Sequence, residues 1–323
     1  MLVSILIPCF NAEQWIAQAI ESALAQTWQD KEVVVVDDGS TDGSLEVIRR
    51  FDGRIRWETG PNRGGGATRN RLLELARGEW LQYLDADDYL FPEKVSRQVE
   101  FLRQHPDVDV VYSPTLCEKI RDDLATLVDE PIPEPRDDPW VLLALWLLPQ
   151  TGGPLWKRSA LKRVNGWRAE QPCCQEHELY FRLLSAGTRF VFFDDSSAVY
   201  RNWDIGGRLT GKMIFEVQKQ RLMILDRMER FLDETGALIP RRRQAINDAR
   251  HQLARVIWKH DRKWADEVVL AIAISDPEFR PSRGPASRSL YRTAYGLVGF
   301  QATQRLADLA RNLRKATRPA ALR

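Results

Sequence analysis

The sequence predicts an α/β fold: a doubly wound, mostly parallel sheet flanked by helices, followed by a helical C-terminal region. Three observations carry this expectation. Short apolar runs alternate with amphipathic helical stretches from Leu2 to Leu84. The run Val33 to Val36 is apolar at every position, as in a strand buried on both faces of a parallel sheet. Beyond Gly211 the apolar period is helical throughout.

The elements follow in order. "LVSILI" makes a first strand that stops at Pro8. "NAEQWIAQAIESALAQT" reads as a helix with Asn11 as N-cap and Trp15, Ile16, Ala19, Ile20, Ala23 and Leu24 on one stripe. "KEVVVVDDGS" is the second strand, and "STDGSLEVIRRF" opens a helix with Ser40, Thr41 and Asp42 as capping candidates. "RIRWET", "GGATRNRLLELARG" and "EWLQYL" continue as strand, helix and strand. Such alternation implies right-handed crossovers. A helix in "PEKVSRQVEFLRQHP" and a strand in "VDVVYS" come next. "RDDLATLVDEPIPEPRDD", polar and proline-rich, reads as a surface excursion. "PWVLLALWLLP" is a short apolar helix, "TGGPLWKRSALKRVNGW" a loop and short helix, "QEHELYFRLLSAG" a longer helix and "TRFVFFDD" the last strand. There is no internal repeat. The expected division is 1–210 and 211–323.

Bulk properties narrow the function classes. The 323 residues are 44% hydrophobic and 28% charged, as in a soluble globular protein. No apolar run reaches the roughly 18 residues of a membrane-spanning helix. "MLVSILIPCF" has no basic leader region and meets Pro8 early, so a first strand and a cytoplasmic chain are expected. Four cysteines without a CxxC pair argue against a disulfide framework, a zinc site or redox chemistry. The net charge of +2 conceals a division. Residues 241–323 carry 18 Lys and Arg against 7 Asp and Glu, whereas residues 1–240 carry 29 against 38.

The acidic residues concentrate where a doubly wound sheet binds ligands, outside the carboxyl ends of its strands. The second strand ends in Asp37-Asp38-Gly39 and the fourth in Asp85-Ala86-Asp87-Asp88. Carboxylates this close repel unless they splay into water or share a cation. A lone D-x-D is more often a solvated loop, and "DDGS" alone is an ordinary turn and cap. A hard divalent cation such as Mn²⁺ or Mg²⁺ takes oxygen ligands and leaves positions for phosphate. The glycines of "PNRGGGATRN" either make a turn or let backbone approach a ligand, with Arg63 or Arg69 to counter phosphate charge.

Taken in order, "VSILIPCFNAEQWIAQAIESALAQTWQDKEVVVVDDGSTDGS" and "NRGGGATRNRLLELARGEWLQYLDADD" resemble the catalytic domain of glycosyltransferase family 2. The likeness runs from about residue 2 to residue 203. It implies a GT-A fold, a nucleotide-diphosphate sugar donor, a divalent metal (Mn²⁺ or Mg²⁺) and transfer with inversion to a hydroxyl of a glycan or lipid-linked acceptor, in cell-surface glycan or polysaccharide synthesis. By the same resemblance Pro8 lines the nucleoside pocket, Asp38 binds base or ribose and Arg69 lies near the nucleotide. Asp85 contacts ribose or sugar, Asp87 ligates the metal and Asp88 is structural. The family's Glu-Asp pair falls on Gln175-Glu176, which makes Glu176 the expected base; Glu178, a rival, points away from it on a helix. His177 is expected to pack or face solvent. "TGGPLWKRS" resembles the loop beneath the acceptor, so Trp156 either stacks on a sugar or packs in the core. Trp203 stands where relatives often carry a histidine that assists the metal.

The basic tail mixes cationic and apolar residues at helical spacing. It is either an ordinary helical subdomain or a peripheral contact with the inner face of an anionic membrane. Without a recognition motif no nucleic acid is expected. Other functions are a non-catalytic nucleotide-sugar-binding relative and a nucleotidyltransferase on a similar sheet, although the arginine-lysine phosphate signature of the latter is missing near the first strand. A dehalogenase-like phosphatase would place its carboxylate motif first in the chain.

Overall fold

The computed structural model describes residues 1–121, 124–134, 136–203, 214–283 and 289–316. The chain divides into two compact units, Met1–Ile214 and Phe215–Arg323.

In the first unit, β1 (Val3–Cys9) lies inside a seven-stranded sheet. Every residue of β1 except Pro8 is buried, and so are Val33 to Val36 of β2 (Lys31–Asp37), which runs parallel to it. Between them α1 (Ile16–Leu24) covers the sheet with Ile16, Ala19, Ile20 and Ala23. Helix α2 (Ser44–Arg49) leads to β3 (Arg56–Thr59), parallel to β2, and α3 (Gly65–Leu75) leads to β4 (Trp80–Tyr83), parallel to β1 on its other side. Parallel strands joined through helices are therefore present, as expected. Helix α1 starts later than its sequence suggests. Asn11 does not cap it but adopts a left-handed conformation with φ of 50°.

The chain then builds a smaller sheet and completes the larger one. β5 (Tyr89–Leu90), α4 (Lys94–Gln104) and β6 (Val110–Tyr112) precede a hairpin of β7 (Thr115–Arg121) and β8 (Leu124–Glu130). The polar stretch expected to be an irregular excursion thus contains a strand, paired from Thr115↔Glu130 to Arg121↔Leu124. Its polar character reflects exposure, because Thr126, Asp129 and Glu130 face solvent on an outer strand. Helix α5 (Pro139–Leu145) is capped by Asp138, whose carboxylate accepts from the Trp140 N–H. β9 (Leu155–Lys157) then inserts antiparallel to both β4 and β6. Helices α6 (Arg158–Arg163) and α7 (Gln175–Ser185) follow, then β10 (Phe190–Phe192) at the sheet edge. "TRFVFFDD" is not the last strand. β11 (Ala198–Trp203) pairs with β5 and β7, and the two sheets read β10-β6-β9-β4-β1-β2-β3 and β5-β11-β7-β8.

The second unit is helical: α8 (Ile214–Glu234), α9 (Pro240–Ile257), α10 (Arg262–Ser275) and α11 (Ser289–Ala316). Ile224, Met228, Ile246, Leu253 and Ile272 are among its buried residues. Buried Arg250 is neutralised by Asp226 at 2.7 Å and Glu229 at 2.6 Å. No helix among the described residues is long and apolar enough to cross a membrane.

His251 gives this unit a pH dependence. Burial, with a further push from Arg255, holds its imidazole down to about 3, and its Nε2 lies 3.1 Å from the Tyr291 hydroxyl. The folded ring stays neutral where an unfolded histidine takes up a proton, so acid favours unfolding. Stability is expected to fall by about 1.4 kcal/mol per pH unit below roughly pH 6.5, down toward pH 3. Urea unfolding from pH 7 to pH 4 measures this, and His251→Gln should flatten the slope by about that amount.

Candidate functional site

A cavity of about 650 Å³ opens where the loops after β1, β2 and β4 meet the amino end of α7. Its walls include Pro8, Asp38, Arg69, Asp85, Asp87 and Gln175. A second cavity, of about 600 Å³, shares Asp38, Thr68 and Ala169 with it and reaches Arg63.

The wall after β1 is rigid because it is laced to the loop after β2. Asn11 donates its N–H to Ser40 Oγ at 3.0 Å and accepts from the Thr41 N–H at 2.8 Å. Ser44 Oγ accepts from the Ala12 N–H, and Asp42 from the Glu13 N–H. Phe10, half exposed at 50%, is left on the cavity wall. The buried Cys9 thiol, pushed up to about 12 chiefly by desolvation, stays protonated.

Asp38 is buried and already has work: its two oxygens accept from the Arg63 and Gly64 N–H groups at 2.8 and 2.9 Å. A carboxylate has about four acceptor positions, so capacity for a ligand remains. The glycine run now has a physical reason. Gly64 takes a φ of 86°, and a Cβ on Gly66 would sit 2.5 Å from the Arg168 carbonyl oxygen.

Arg69, on α3, is the organising cation. Its Nη2 donates to Asp85 Oδ1 at 2.7 Å and lies 3.9 Å from Glu176 Oε1, while Nη1 donates to Gln175 Oε1 at 2.7 Å. The guanidinium also lies over the Trp167 ring, 5.0 Å from its centroid. Burial disfavours its charge, yet Asp85 and then Glu176 more than offset that, and its affinity for the proton rises.

The crowding of carboxylates after β4 is relieved separately for each. Asp85 has Arg69. Asp88 is buried and accepts from the Arg201 N–H at 2.9 Å; desolvation, then Asp87 and Asp85, push its carboxyl well above the usual range. Asp87 is half-buried and lines the cavity. Its carbonyl accepts from Arg201 Nη1 at 2.8 Å. Arg201, 4% exposed, also bonds Glu118 and Gln18 and packs on the Trp15 and Tyr89 rings. "YRNW" drew attention to Trp203, whose side chain lies outside the described residues. The residue of that strand that reaches the loop after β4 is Arg201, which reads as an ordinary strand cation in sequence.

At the amino end of α7, Glu176 Oε1 accepts from Thr151 Oγ1 at 2.8 Å. Glu178 is 1% exposed and clasped by Arg168 at 3.0 Å and Arg182 at 2.8 Å, so it holds the helix in place and is not a second candidate base. His177 is buried and stacks on Trp146 at 3.6 Å, a packing role as expected. One candidate is corrected. Trp156 is wholly buried on β9, stacked at 5.2 Å on Tyr180, and no sugar can reach it. Trp156→Ala should accordingly cost about 3–5 kcal/mol of stability, read by urea unfolding.

Residues 4–139 match the profile described as "Glycosyl transferase family 2". An "Uncharacterized glycosyltransferase" of Haemophilus influenzae is 40% identical over 108 residues, which is 32% of this chain and 43% of that protein. "Chondroitin synthase" of Escherichia coli is 37% identical over 115 residues, 35% of this chain and 17% of the synthase. "Hyaluronan synthase" of Pasteurella multocida is 42% identical over 106 residues, 32% and 11% of the two chains. The match thus spans less than half of each relative. Among solved structures, Staphylococcus aureus TarS 1–349 is similar with a TM-score of 0.59 and 17% identity, over 85% of this chain and 80% of that one. The mannosyltransferase PcManGT of Pyrobaculum calidifontis, solved in complex with GDP-Man and Mn²⁺, gives 0.56 and 18% over 94% and 82%. At these identities the likeness is one of fold.

Proposed function

We propose that this chain, whose residues 4–139 match glycosyl transferase family 2 and whose fold is of the GT-A type, moves a sugar from a nucleotide-diphosphate donor to an acceptor hydroxyl with inversion. The observation that carries the proposal is the convergence of Pro8, Asp38, Arg69, Asp85 and Asp87 on one cavity, with Glu176 linked to it through Arg69.

The nucleoside fits between the laced wall after β1 and Asp38, whose remaining acceptor capacity suits a base N–H or a ribose hydroxyl. Asp85, steadied by Arg69, faces the ribose or the sugar. Glu176 takes the proton of the acceptor hydroxyl as its oxygen attacks the anomeric carbon opposite the diphosphate. One displacement inverts that centre. The acceptor class is a glycan or lipid-linked hydroxyl, a reading supported by the synthase names among the relatives.

Among the described residues no three His, Cys, Asp or Glu side chains converge to chelate an ion. Asp85 accepts from Arg69, and both Asp85 and the half-buried Asp87 line the cavity. Such an oxygen-only donor set fits a hard cation, Mn²⁺ or Mg²⁺, which Asp87 would help to hold beside the donor's diphosphate. Bound there, the ion would offset charge gathering on the departing diphosphate.

A panel of UDP-, GDP- and dTDP-sugars, with and without Mn²⁺ or Mg²⁺, tests this through release of nucleoside diphosphate, paired with calorimetry of the free nucleotides. Metal-dependent release from one donor is expected. Asp87→Asn should weaken metal-supported nucleotide binding by about tenfold, one ligand's worth of coordination. Absence of metal-assisted binding for every nucleotide would remove the donor-site assignment.

A peripheral membrane contact belongs to the second unit. The segment Ser289–Ala316 is two helical stretches that meet at Gly299, whose φ of 73° is not helical. Leu290, Leu297 and Val298 are exposed on the first and Leu306 and Leu309 on the second, beside Arg292, Arg305 and Arg311, a composition that suits an interfacial contact. Co-sedimentation with phosphatidylglycerol vesicles, weakened by Leu297→Glu, is the expected result; equal recovery with neutral vesicles would count against it.

A further inference from the structure

We infer that Thr151 is a positioning residue that fixes the Glu176 carboxylate for proton transfer, an inference that rests on Glu176 being the base. A Glu in place of the family's Asp carries one more methylene and one more torsion, so its carboxylate has more places to go. Something must remove that freedom if the base is to sit within hydrogen-bond reach of its substrate.

Thr151 does so from an anchored loop. It is 2% exposed, and its hydroxyl donates to Glu176 Oε1 at 2.8 Å. Arg69 Nη2 lies 3.9 Å from that same oxygen, so both contacts fall on Oε1, and Oε2 makes no hydrogen bond with a described residue. One oxygen is held and the other is left for the acceptor's proton.

The loop cannot follow the carboxylate, because buried side chains bolt it from beneath. Gln82 of β4 donates to the Gly152 carbonyl at 2.9 Å, and Gln98 of α4 to the Gly153 carbonyl at 3.0 Å. The Tyr180 hydroxyl of α7 donates to the Pro149 carbonyl at 3.0 Å. Lys94 Nζ donates to Gln82 Oε1. Since the Tyr83 and Gly152 carbonyls can only accept, they set which end of the Gln82 amide faces the loop. Gln82, Gln98 and Lys94 are 0%, 0% and 1% exposed. Three elements therefore fix the backbone that carries Thr151, and through it the base.

The test compares Thr151→Val, which keeps the shape and removes the donor, with Thr151→Ser, which keeps the donor. The full chain is assayed with whichever nucleotide sugar of the panel is turned over, and the pH–rate profile, kcat and donor KM are read together. Thr151→Val should lower kcat about tenfold and move the acid limb of the profile to higher pH, because a hydrogen bond to the charged carboxylate is lost. Donor KM should stay within about twofold, and Thr151→Ser should return most of the rate. An unchanged rate and limb in Thr151→Val overturns the inference, and so does an equal loss in both variants, which would mean packing alone. Should Thr151→Val fail to fold, Thr151→Ala against Thr151→Ser makes the same comparison. Glu176→Gln separates the two levels: if it turns over normally the base assignment falls and takes this inference with it, whereas if it is inactive beside a normal Thr151→Val, only the positioning role is lost.

Discussion

Glu176→Gln is expected to lower turnover by about 10²- to 10⁴-fold while donor binding stays near its original strength. The amide is close to isosteric, and its oxygen can still accept from Thr151, so the local geometry survives. What disappears is the ability to take a proton. The acceptor hydroxyl must then attack without a base, and the loss belongs to kcat, because the donor cavity is lined by Gln175 and not by Glu176. Turnover of the donor identified in the panel, alongside calorimetric binding of its nucleotide, separates the two quantities. Near-normal turnover in the variant would assign the base elsewhere.

The second large effect is expected at Arg69. Its guanidinium stands between two carboxylates, at 2.7 Å from Asp85 and 3.9 Å from Glu176, and is 11% exposed. Arg69→Met keeps much of the volume and the contact with Trp167 but leaves both acids without their cation. Removing one member of a buried pair costs about 3–5 kcal/mol, chiefly the desolvation of what remains. Asp85 retains 30% of its side-chain surface, so the lower end, about 3 kcal/mol, is expected here. Turnover should fall as well, since Arg69 also holds Asp85 and Gln175 on the cavity wall. Urea midpoints of Arg69→Met and of the double variant Arg69→Met/Asp85→Asn test the account. The second substitution should restore part of the lost stability, and an Arg69→Met chain as stable as the original would show that the pair contributes nothing.

Much of the donor half can be read from sequence because its signals are local. Apolar runs at Val3 to Ile7 and Val33 to Val36 announce buried parallel strands, and polar residues just after them announce the ligand edge. Asp38, Asp85 and Asp87 are found this way, and all three reach the same cavity. What escapes such reading comes from distant segments. Arg201 meets Asp87 across 114 positions, and Thr151 meets Glu176 across 25. Neither residue carries a pattern of its own; each acquires a role only when the topology brings it to the edge. Trp156 fails in the opposite sense. An aromatic beside a Gly-Gly-Pro loop reads as a sugar platform, but as the middle residue of a three-residue strand paired on both sides it is enclosed. The hairpin of β7 and β8 is hidden because its charged, exposed residues look like a loop's.

The reversed direction of β9 has a consequence for how such a site can diversify. Because β9 runs against β4 and β6, its first residue lies at the same edge as the last residues of its neighbours. The segment entering it, with Thr151 at hand, therefore arrives at the ligand edge, where Gln82 of β4 holds it by the Gly152 carbonyl. Lengthening or rewriting the stretch between α5 and β9 changes what stands opposite the donor while the pairing of β1, β2 and β3 keeps its register. On the proposed function, the two half-sites are coupled in space but separable in sequence, which would let acceptors be exchanged while the donor is kept.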